Sequence, residues 1–369
     1  MLSSASLSRF RINLLGWFAQ FQRDLPWRQT RDPYRIWLSE IMLQQTRVAA
    51  AIPYYERFLA RFPTVEVLAS APQEEVLRLW SGLGYYSRAR NLQKAAQEIV
   101  AKHNGVFPSE PAEALALPGI GAYTAAAILS IAYQKKHAVL DGNVARVIAR
   151  LNAVRGDLRA NGTWQSLQGR ADQLLDEKFP GDWNQAMMEL GATLCTPRSP
   201  QCLLCPVSEF CEARKQGLVD SIPAKRAKRR AVEITLASLV LVDAGGKTLL
   251  LAPPKSAGKS AAPDDVHTLV SQMWHFPTIA VRHGPADSEL RKFAEKSLLA
   301  GRSLRAQLFP LKKVRHAVTY RSITIFPFRV ELKKLPRVSS SKALPLADLS
   351  NVAISNLTRK VARAALALK

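Results

Sequence analysis

The chain has 369 residues, 47% of them apolar, enough to bury substantial cores, and its length favours two domains over one and excludes disorder as the default state. Its 52 Lys and Arg against 29 Asp and Glu leave a formal net charge of +23, an excess that favours a polyanionic partner, nucleic acid first, over a merely charge-solubilised protein. No run approaches the uninterrupted apolar length of a membrane span, and MLSSASLSRFRINLLGWFAQF at the N-terminus mixes basic and apolar residues without a secretory apolar core, so an intracellular protein without membrane contact is expected.

From Ser8 to about Arg214 apolar residues recur at helical spacing between short Gly/Pro breaks, which predicts an all-α half. Leu25-Pro26-Trp27-Arg28 is the first such break. Trp37 to Arg47 reads as a helix whose apolar stripe, Leu38 and Ile41, continues to Val48 and Ile52, with Glu40, Gln44 and Arg47 on another face and Gln45 interrupting the stripe. A helical Glu taken alone is ordinarily solvated surface. Ser81-Gly82-Leu83-Gly84-Tyr85-Tyr86 is a further glycine break. Leu117-Pro118-Gly119-Ile120-Gly121 lies between two helical segments, and its glycines permit tight turning and close backbone approach. The amides there, with the N-terminus of the helix beginning near Ala122, suit a phosphate whatever the base sequence. About twenty residues on, Asp141-Gly142-Asn143 precedes another apolar-periodic helix. Asp141 is a good N-cap, and a carboxylate held by helix amides is expected to stay ionised and to stabilise positive charge developing on a sugar.

All four cysteines fall between Cys195 and Cys211 in a C-x6-C-x2-C-x5-C run, too tight to staple distant parts of a fold but suited to wrapping one metal centre. Ligand chemistry alone leaves zinc and iron–sulfur both open, although zinc sites usually pair two short knuckles and this run has one. Ser221 to Arg230 is strongly basic, a solvated linker or an electrostatic contact to DNA. Beyond it EITLASLVLVD, KTLLLA and SITIFPFRVEL read as strands between Pro/Gly/Ser-rich loops, so the second half is α+β. The expected organisation is a helical domain over 1–219, a basic linker over 220–232 and an α+β domain over 233–369.

The cysteine spacing and the preceding helix, Asn184-Gln185-Ala186-Met187-Met188-Glu189-Leu190-Gly191, resemble the iron–sulfur glycosylases of the endonuclease III and MutY family, and the resemblance runs over essentially residues 8–215. It implies a helix-hairpin-helix glycosylase core. It also implies a structural [4Fe-4S] cluster on Cys195, Cys202, Cys205 and Cys211, Gly119 and Gly121 against DNA, and Asp141 as the catalytic aspartate. LSEIMLQQT is similar to the adenine-specific branch, which gives Glu40 the task of protonating the leaving base, with Gln44 beside it. Burial should raise the pKa of Glu40, while anionic Asp141 supports, or transiently bonds to, the sugar carbon. Tyr123 stands where the bifunctional branch has a Schiff-base lysine, so monofunctional hydrolysis is expected; Tyr123 and Asn143 match residues that assist the aspartate. A base must leave the duplex before it is cut out. The resemblance puts Gln45 and Tyr85 forward to fill the vacated space, Leu83 and Tyr85 near the opposing base, and Trp27, Arg28 and Gln185 around the adenine.

In the second half Met273-Trp274-His275-Phe276-Pro277 resembles the W-x-F-P turn of the Nudix-like domain that adenine-directed members carry. SELRKFAEKSLLAG lacks the carboxylate cluster that pyrophosphate hydrolysis needs, so this domain should recognise rather than hydrolyse. Where the family reads 8-oxoguanine with a Phe-Ser-His loop, this chain has Val318-Thr319-Tyr320; Thr319 keeps the hydroxyl, and the Phe and His are lost. The reading that emerges is a monomeric adenine glycosylase acting on duplex DNA with A:8-oxoguanine or A:G mispairs. An oxidised-pyrimidine glycosylase with lyase activity, a catalytically silent DNA-binding protein and a nucleotide pyrophosphatase are the alternatives.

Overall fold

A computed structural model describes residues 3–224, 230–253, 266, 270, 273–282, 284–318 and 320–367. The chain divides into two units, Met1–Ser70 with Asn91–Ala227, and Ala71–Arg90 with Lys228–Lys369. The helices up to the cysteine run are α1 (Ser4–Phe21), α2 (Pro33–Leu43), α3 (Val48–Arg61), α4 (Val65–Ser70), α5 (Gln73–Trp80), α6 (Ser87–Lys102), α7 (Pro111–Ala116), α8 (Ala122–Tyr133), α9 (Gly142–Leu151), α10 (Asn161–Leu174) and α11 (Pro180–Thr193), with α12 (Glu212–Lys215) just beyond Cys211. The all-α expectation for this half is met.

In the first unit α2 is the central element. Asp32 caps it by accepting the Tyr34 amide at 2.9 Å, and Pro33 occupies its first position, where no amide is missed. From Ile36 to Met42 every residue is buried, with α3 and α8 both packed against the helix. Trp37, Trp183, Phe10, Phe58 and Phe62 fill the surrounding core at under 2% exposure; each such side chain stabilises by roughly 1.5–3 kcal/mol relative to leaving it in water. Two glycines bring α11 close to its neighbours. A Cβ on Gly181 would lie 2.7 Å from the Ser130 carbonyl oxygen of α8, and one on Gly191 would lie 2.8 Å from Asn143 Cβ of α9.

The expected continuous stripe from Leu38 to Ile52 is corrected by a break. α2 ends at Leu43, Gln45 adopts φ +56°, and Val48 starts a new helix. The left-handed residue turns the chain, so Gln44, Gln45 and Arg47 do not extend the face of Glu40.

The second unit is α+β, as expected. Its mixed sheet runs β4 (Phe309–Pro310), β6 (Arg321–Leu332), β1 (Val232–Asp243), β2 (Lys247–Leu251), β7 (Ser341–Pro345), with β3 (Thr278–Ala280) also paired to β1 and β5 (Val314–Val318) to β6. β1 and β6 are parallel in register from Val232↔Arg321 to Asp243↔Leu332, and the other pairings are antiparallel. β1 is buried without a break from Leu236 to Val242 because both faces are covered. Ile234, Leu236, Val240 and Val242 pack with Leu357 and Val361 of α14 (Asn356–Leu366), while Ala237, Leu239 and Leu241 pack with Leu290 and Ala294 of α13 (Ala286–Ser297). Residues 71–90, expected within the helical domain, group with this unit. There Ser81 Oγ donates to the Ile354 carbonyl at 2.6 Å, Asn356 Nδ2 donates to the Gly82 carbonyl at 3.0 Å, and Glu74 accepts from Lys342 at 2.8 Å.

Candidate active site

A cavity of about 530 Å³ opens in the first unit where α2, α8, α9 and α11 meet the Arg23–Arg28 loop. Glu40 comes to it from α2 and is 7% exposed, the reverse of a solvated helical Glu, because α2 is enclosed. Tyr123, on the first turn of α8, donates its hydroxyl to Glu40 Oε2 at 2.8 Å and also meets Met188 Sδ at 3.1 Å. Burial pushes the Glu40 carboxyl up to about 7; the Tyr123 hydrogen bond pulls it down, and the Asp141 charge pushes it up again. Burial, reinforced by those two carboxylates, drives the Tyr123 phenol well above its ordinary value, so it remains a donor. The cavity therefore holds an acid that is half protonated near neutrality.

Asp141 is the N-cap of α9. Its Oδ1 accepts the amides of Asn143 and Val144 at 2.9 and 2.7 Å, and its Oδ2 accepts Asn143 Nδ2 at 3.1 Å. These donors favour the ionised carboxylate, as expected of a helix cap. Burial raises its pKa, and the Val144 and Asn143 amides, the Arg146 charge and the Asn143 side chain oppose that rise without cancelling it. Asn143 is fixed in turn by Arg146 Nη2, which donates to its Oδ1 at 2.9 Å. Arg146 also donates to the Gly191 carbonyl at 2.8 Å and, through Nε, to the Cys195 carbonyl at 2.9 Å. One buried guanidinium thus joins the cap of α9 to the start of the cysteine run.

Trp27, Arg28, Gln44, Gln45 and Gln185 line the same cavity. Trp27 stands edge-on to Tyr55 at 5.3 Å, and Gln44 Nε2 donates to Thr124 Oγ1 at 3.4 Å. Gln45 is exposed at the rim. Arg28 is tied to Glu189, which also receives Arg23. Glu189, Arg23, Met188 and Arg146 are residues that sequence reasoning assigned no role. The signal for two of them was helical spacing, since Gln185, Met188, Glu189 and Ala192 share one α11 face on the cavity. No lysine lines it among the described residues.

In the hairpin α7 and α8 flank the turn 117–121. Only Gly119 has positive φ, +80°, and its Cβ would fall 2.9 Å from Asn91 Cβ. Gly121 is corrected from a turn-forming glycine to an extended N-cap whose Cβ would meet nothing, which leaves the α8 amides open.

In the second unit Gly82, Gly84 and Tyr85 take φ of +110°, +82° and +49°, so the turn carrying Leu83 is left-handed at three positions. Tyr85 is 39% exposed, with the Arg88 guanidinium 5.4 Å from its ring centre. Tyr320 is half-buried beneath Arg321, and its carbonyl accepts the Val232 amide at 2.8 Å. Thr319 lies outside the described residues, as do residues 225–229 of the basic run.

Cys195, Cys202, Cys205 and Cys211, all half-buried, line one pocket with Val147, Leu151, Leu190, Leu194 and Val207. Burial pushes the Cys205 thiol up to about 12 against the Val207 amide, and the other three cysteines, all within electrostatic reach of its sulfur, raise it further. Arg150 Nη1 lies 3.4 Å from Cys195 Sγ, a positive charge for a thiolate. Among the described residues no three His, Cys, Asp or Glu side chains are gathered to hold a single ion. Four thiols spread round one apolar pocket fit a multi-iron cluster better than one zinc.

A family model described as HhH-GPD superfamily base excision DNA repair protein matches residues 38–169, and one described as iron-sulfur binding domain of endonuclease III matches residues 195–211. The chain is 48% identical over 232 residues to a Rattus norvegicus protein named adenine DNA glycosylase, covering 59% of this chain and 45% of that protein. It is 33% identical over 413 residues to a Mus musculus protein of the same name, covering 97% of this chain and 78% of that one. The chain thus spans less than half of the rat relative and more than three quarters of the mouse one. Among solved structures, a thermostable thymine-DNA glycosylase is similar at 31% identity and a TM-score of 0.53, over 57% of this chain and 97% of that chain.

Proposed function

Because the chain belongs to the adenine DNA glycosylase family, we propose that it hydrolyses the N-glycosidic bond of adenine mispaired with 8-oxoguanine or guanine in duplex DNA. The observation that carries the reading is the Glu40 carboxyl, held near pKa 7 in the same cavity as Asp141. A departing purine needs a proton and leaves an electron-poor sugar, and two carboxyls of different environment supply both needs. Protonated Glu40 donates to the extruded base. Tyr123 orients that acid, while Asp141, fixed by Asn143, faces the sugar as cation stabiliser or transient nucleophile. Water completes the hydrolysis. With tyrosine at position 123 and no lysine among the described lining residues, no Schiff base forms and strand cleavage is weak or absent.

The amides of Gly121 and the α8 N-terminus bind a DNA phosphate, Gln45 or Tyr85 fills the space left by the extruded base, and Leu83 and Tyr85 approach the opposing base. Trp27, Arg28 and Gln185 surround the adenine. Cys195, Cys202, Cys205 and Cys211 hold a [4Fe-4S] cluster, which when bound ties the 195–211 loop together and supplies no hydrolytic step. The second unit, whose sheet is covered by helices on both faces, acts as a Nudix-like reader of the opposing base through Thr319 and Tyr320. The protein works as a monomer.

The test is a labelled duplex with adenine opposite 8-oxoguanine, G, C or T, incubated with the protein and then with alkali. Cleavage at the adenine, fastest opposite 8-oxoguanine and lost in Asp141→Asn, is expected. Intact strands overturn the reading, and borohydride trapping of protein on DNA would move it to the lyase branch.

A further inference from the structure

One wall of the cavity is strongly charged yet has no part in the proton transfer described above. Glu189, on α11 and 1% exposed, accepts the Arg23 amide at 3.2 Å and Arg23 Nε at 2.7 Å on Oε1, and Arg23 Nη2 and Arg28 Nη2, both at 2.7 Å, on Oε2. Four donors use up what a carboxylate can accept, so Glu189 has nothing left to offer a ligand. Its effect falls on its partners. Arg28, its side chain 10% exposed, spans from Glu189 to the Arg23 carbonyl, which its Nη1 meets at 3.0 Å, and a guanidinium so held keeps further N–H groups for the cavity it lines. Trp27 is the neighbour of Arg28 in the same short turn and lines the same cavity. A single buried carboxylate therefore pins the whole 23–28 loop to the helix that presents Gln185 and Met188. With two cations to one anion whose oxygens are already filled, the Arg23–Glu189–Arg28 cluster is net positive and presents N–H donors, the complement of a heterocycle's unprotonated ring nitrogens.

We infer that Glu189 is a positioning residue for the base pocket: through Arg28 it fixes the loop that grips the extruded purine. This rests on the excision reading above. A positioning role predicts a loss that appears only when a base is present to be gripped.

The experiment measures single-turnover excision from an adenine:8-oxoguanine duplex by the wild-type protein, Glu189→Gln, Arg28→Gln and the double variant, with affinity for the same duplex carrying a tetrahydrofuran abasic site. Glu189→Gln is expected to slow excision about ten- to a hundredfold, the cost of unpairing buried charge-assisted hydrogen bonds, with abasic-site affinity within about twofold. The double variant should be no more than about twofold slower than Arg28→Gln, because Glu189 acts through Arg28. Arg28→Lys leaves Glu189 paired and protects the fold; it should show the same split between excision and abasic-site binding. Unchanged excision in Glu189→Gln, equal losses in excision and abasic binding, or multiplied losses in the double variant overturn the inference. A wild-type protein that leaves adenine in place overturns the excision reading itself, a result distinct from an active wild type matched by its variants.

Discussion

The Tyr123 hydroxyl donates to Glu40 Oε2 at 2.8 Å, so the first turn of the hairpin's second helix holds the one carboxyl in the cavity whose pKa reaches about 7. That bond lowers the Glu40 pKa against the larger effect of burial. If protonated Glu40 is the acid, excision falls as pH rises through its pKa. Removing the bond with Tyr123→Phe then raises the pKa and moves the alkaline limb to higher pH. Single-turnover rates from pH 5 to 9 read the change, and a limb that stays in place or moves to lower pH removes Glu40 from the role.

The same burial makes Glu40 a cost to the fold. Its folded pKa, about 7, lies above the ordinary 4.5, so the folded state binds more protons between those values. Stability is therefore fully present below about pH 4.5 and declines as pH rises through 7. The total decline is about 3 kcal/mol, since each tenfold difference in proton affinity between the folded and unfolded chain is worth about 1.4 kcal/mol. Glu40→Gln, neutral at every pH, escapes it. The variant should be inactive yet gain stability over wild type as pH rises from 4.5 to 8, as measured by chemical denaturation at each pH. A stability difference that does not change with pH contradicts the assigned burial.

Much of this site was legible in the chain because its signals are local. The α9 cap, the hairpin and the cysteine run each declare themselves within about twenty residues by turn and cap chemistry. The chain break at Gln45 was not, since no Gly or Pro marks it and the apolar period carries across it. Nor was the Arg23–Glu189–Arg28 cluster, in which Glu189 lies 166 and 161 positions from Arg23 and Arg28. Glu189 looks like an ordinary helical acid until α11 is seated against the 23–28 loop. Burial raises both carboxyls, as was expected for Glu40; for Asp141 the cap donors were legible in the chain but the burial that opposes them was not.

Asp141→Asn separates cap from chemistry. Both helix amides bond to Oδ1, which an Asn carbonyl reproduces, and Asn caps helices as well as Asp. The lost contact is the one from Asn143 Nδ2 to Oδ2, so the variant's unfolding free energy should stay within about 1 kcal/mol of wild type. Excision should nevertheless drop about a hundred- to a thousandfold, because the fixed negative charge is gone. Thermal melting and single-turnover rates on the same preparation test this; parallel losses in both would return Asp141 to a purely structural role.

Gly191 sets how closely α11 approaches the cap. A Cβ there would lie 2.8 Å from Asn143 Cβ and 3.2 Å from the Asn143 carbonyl carbon and oxygen, so Gly191→Ala must displace the first turn of α9. That turn carries Asn143 next to Asp141, and the Arg146 bond to the Gly191 carbonyl moves with it. Overpacking of this kind costs about 1–3 kcal/mol, and the displaced carboxylate should cost excision more than the fold loses. Gly169→Ala on α10 is the matched control, because its Cβ would meet nothing within 4 Å; there the lost chain entropy should raise stability by about 0.4–1 kcal/mol and leave excision unchanged. Melting temperatures and excision rates of the two variants distinguish a contact at Asn143 from a general intolerance of alanine in these helices. A Gly191→Ala protein that melts and excises like Gly169→Ala rules out that contact as a determinant of the site.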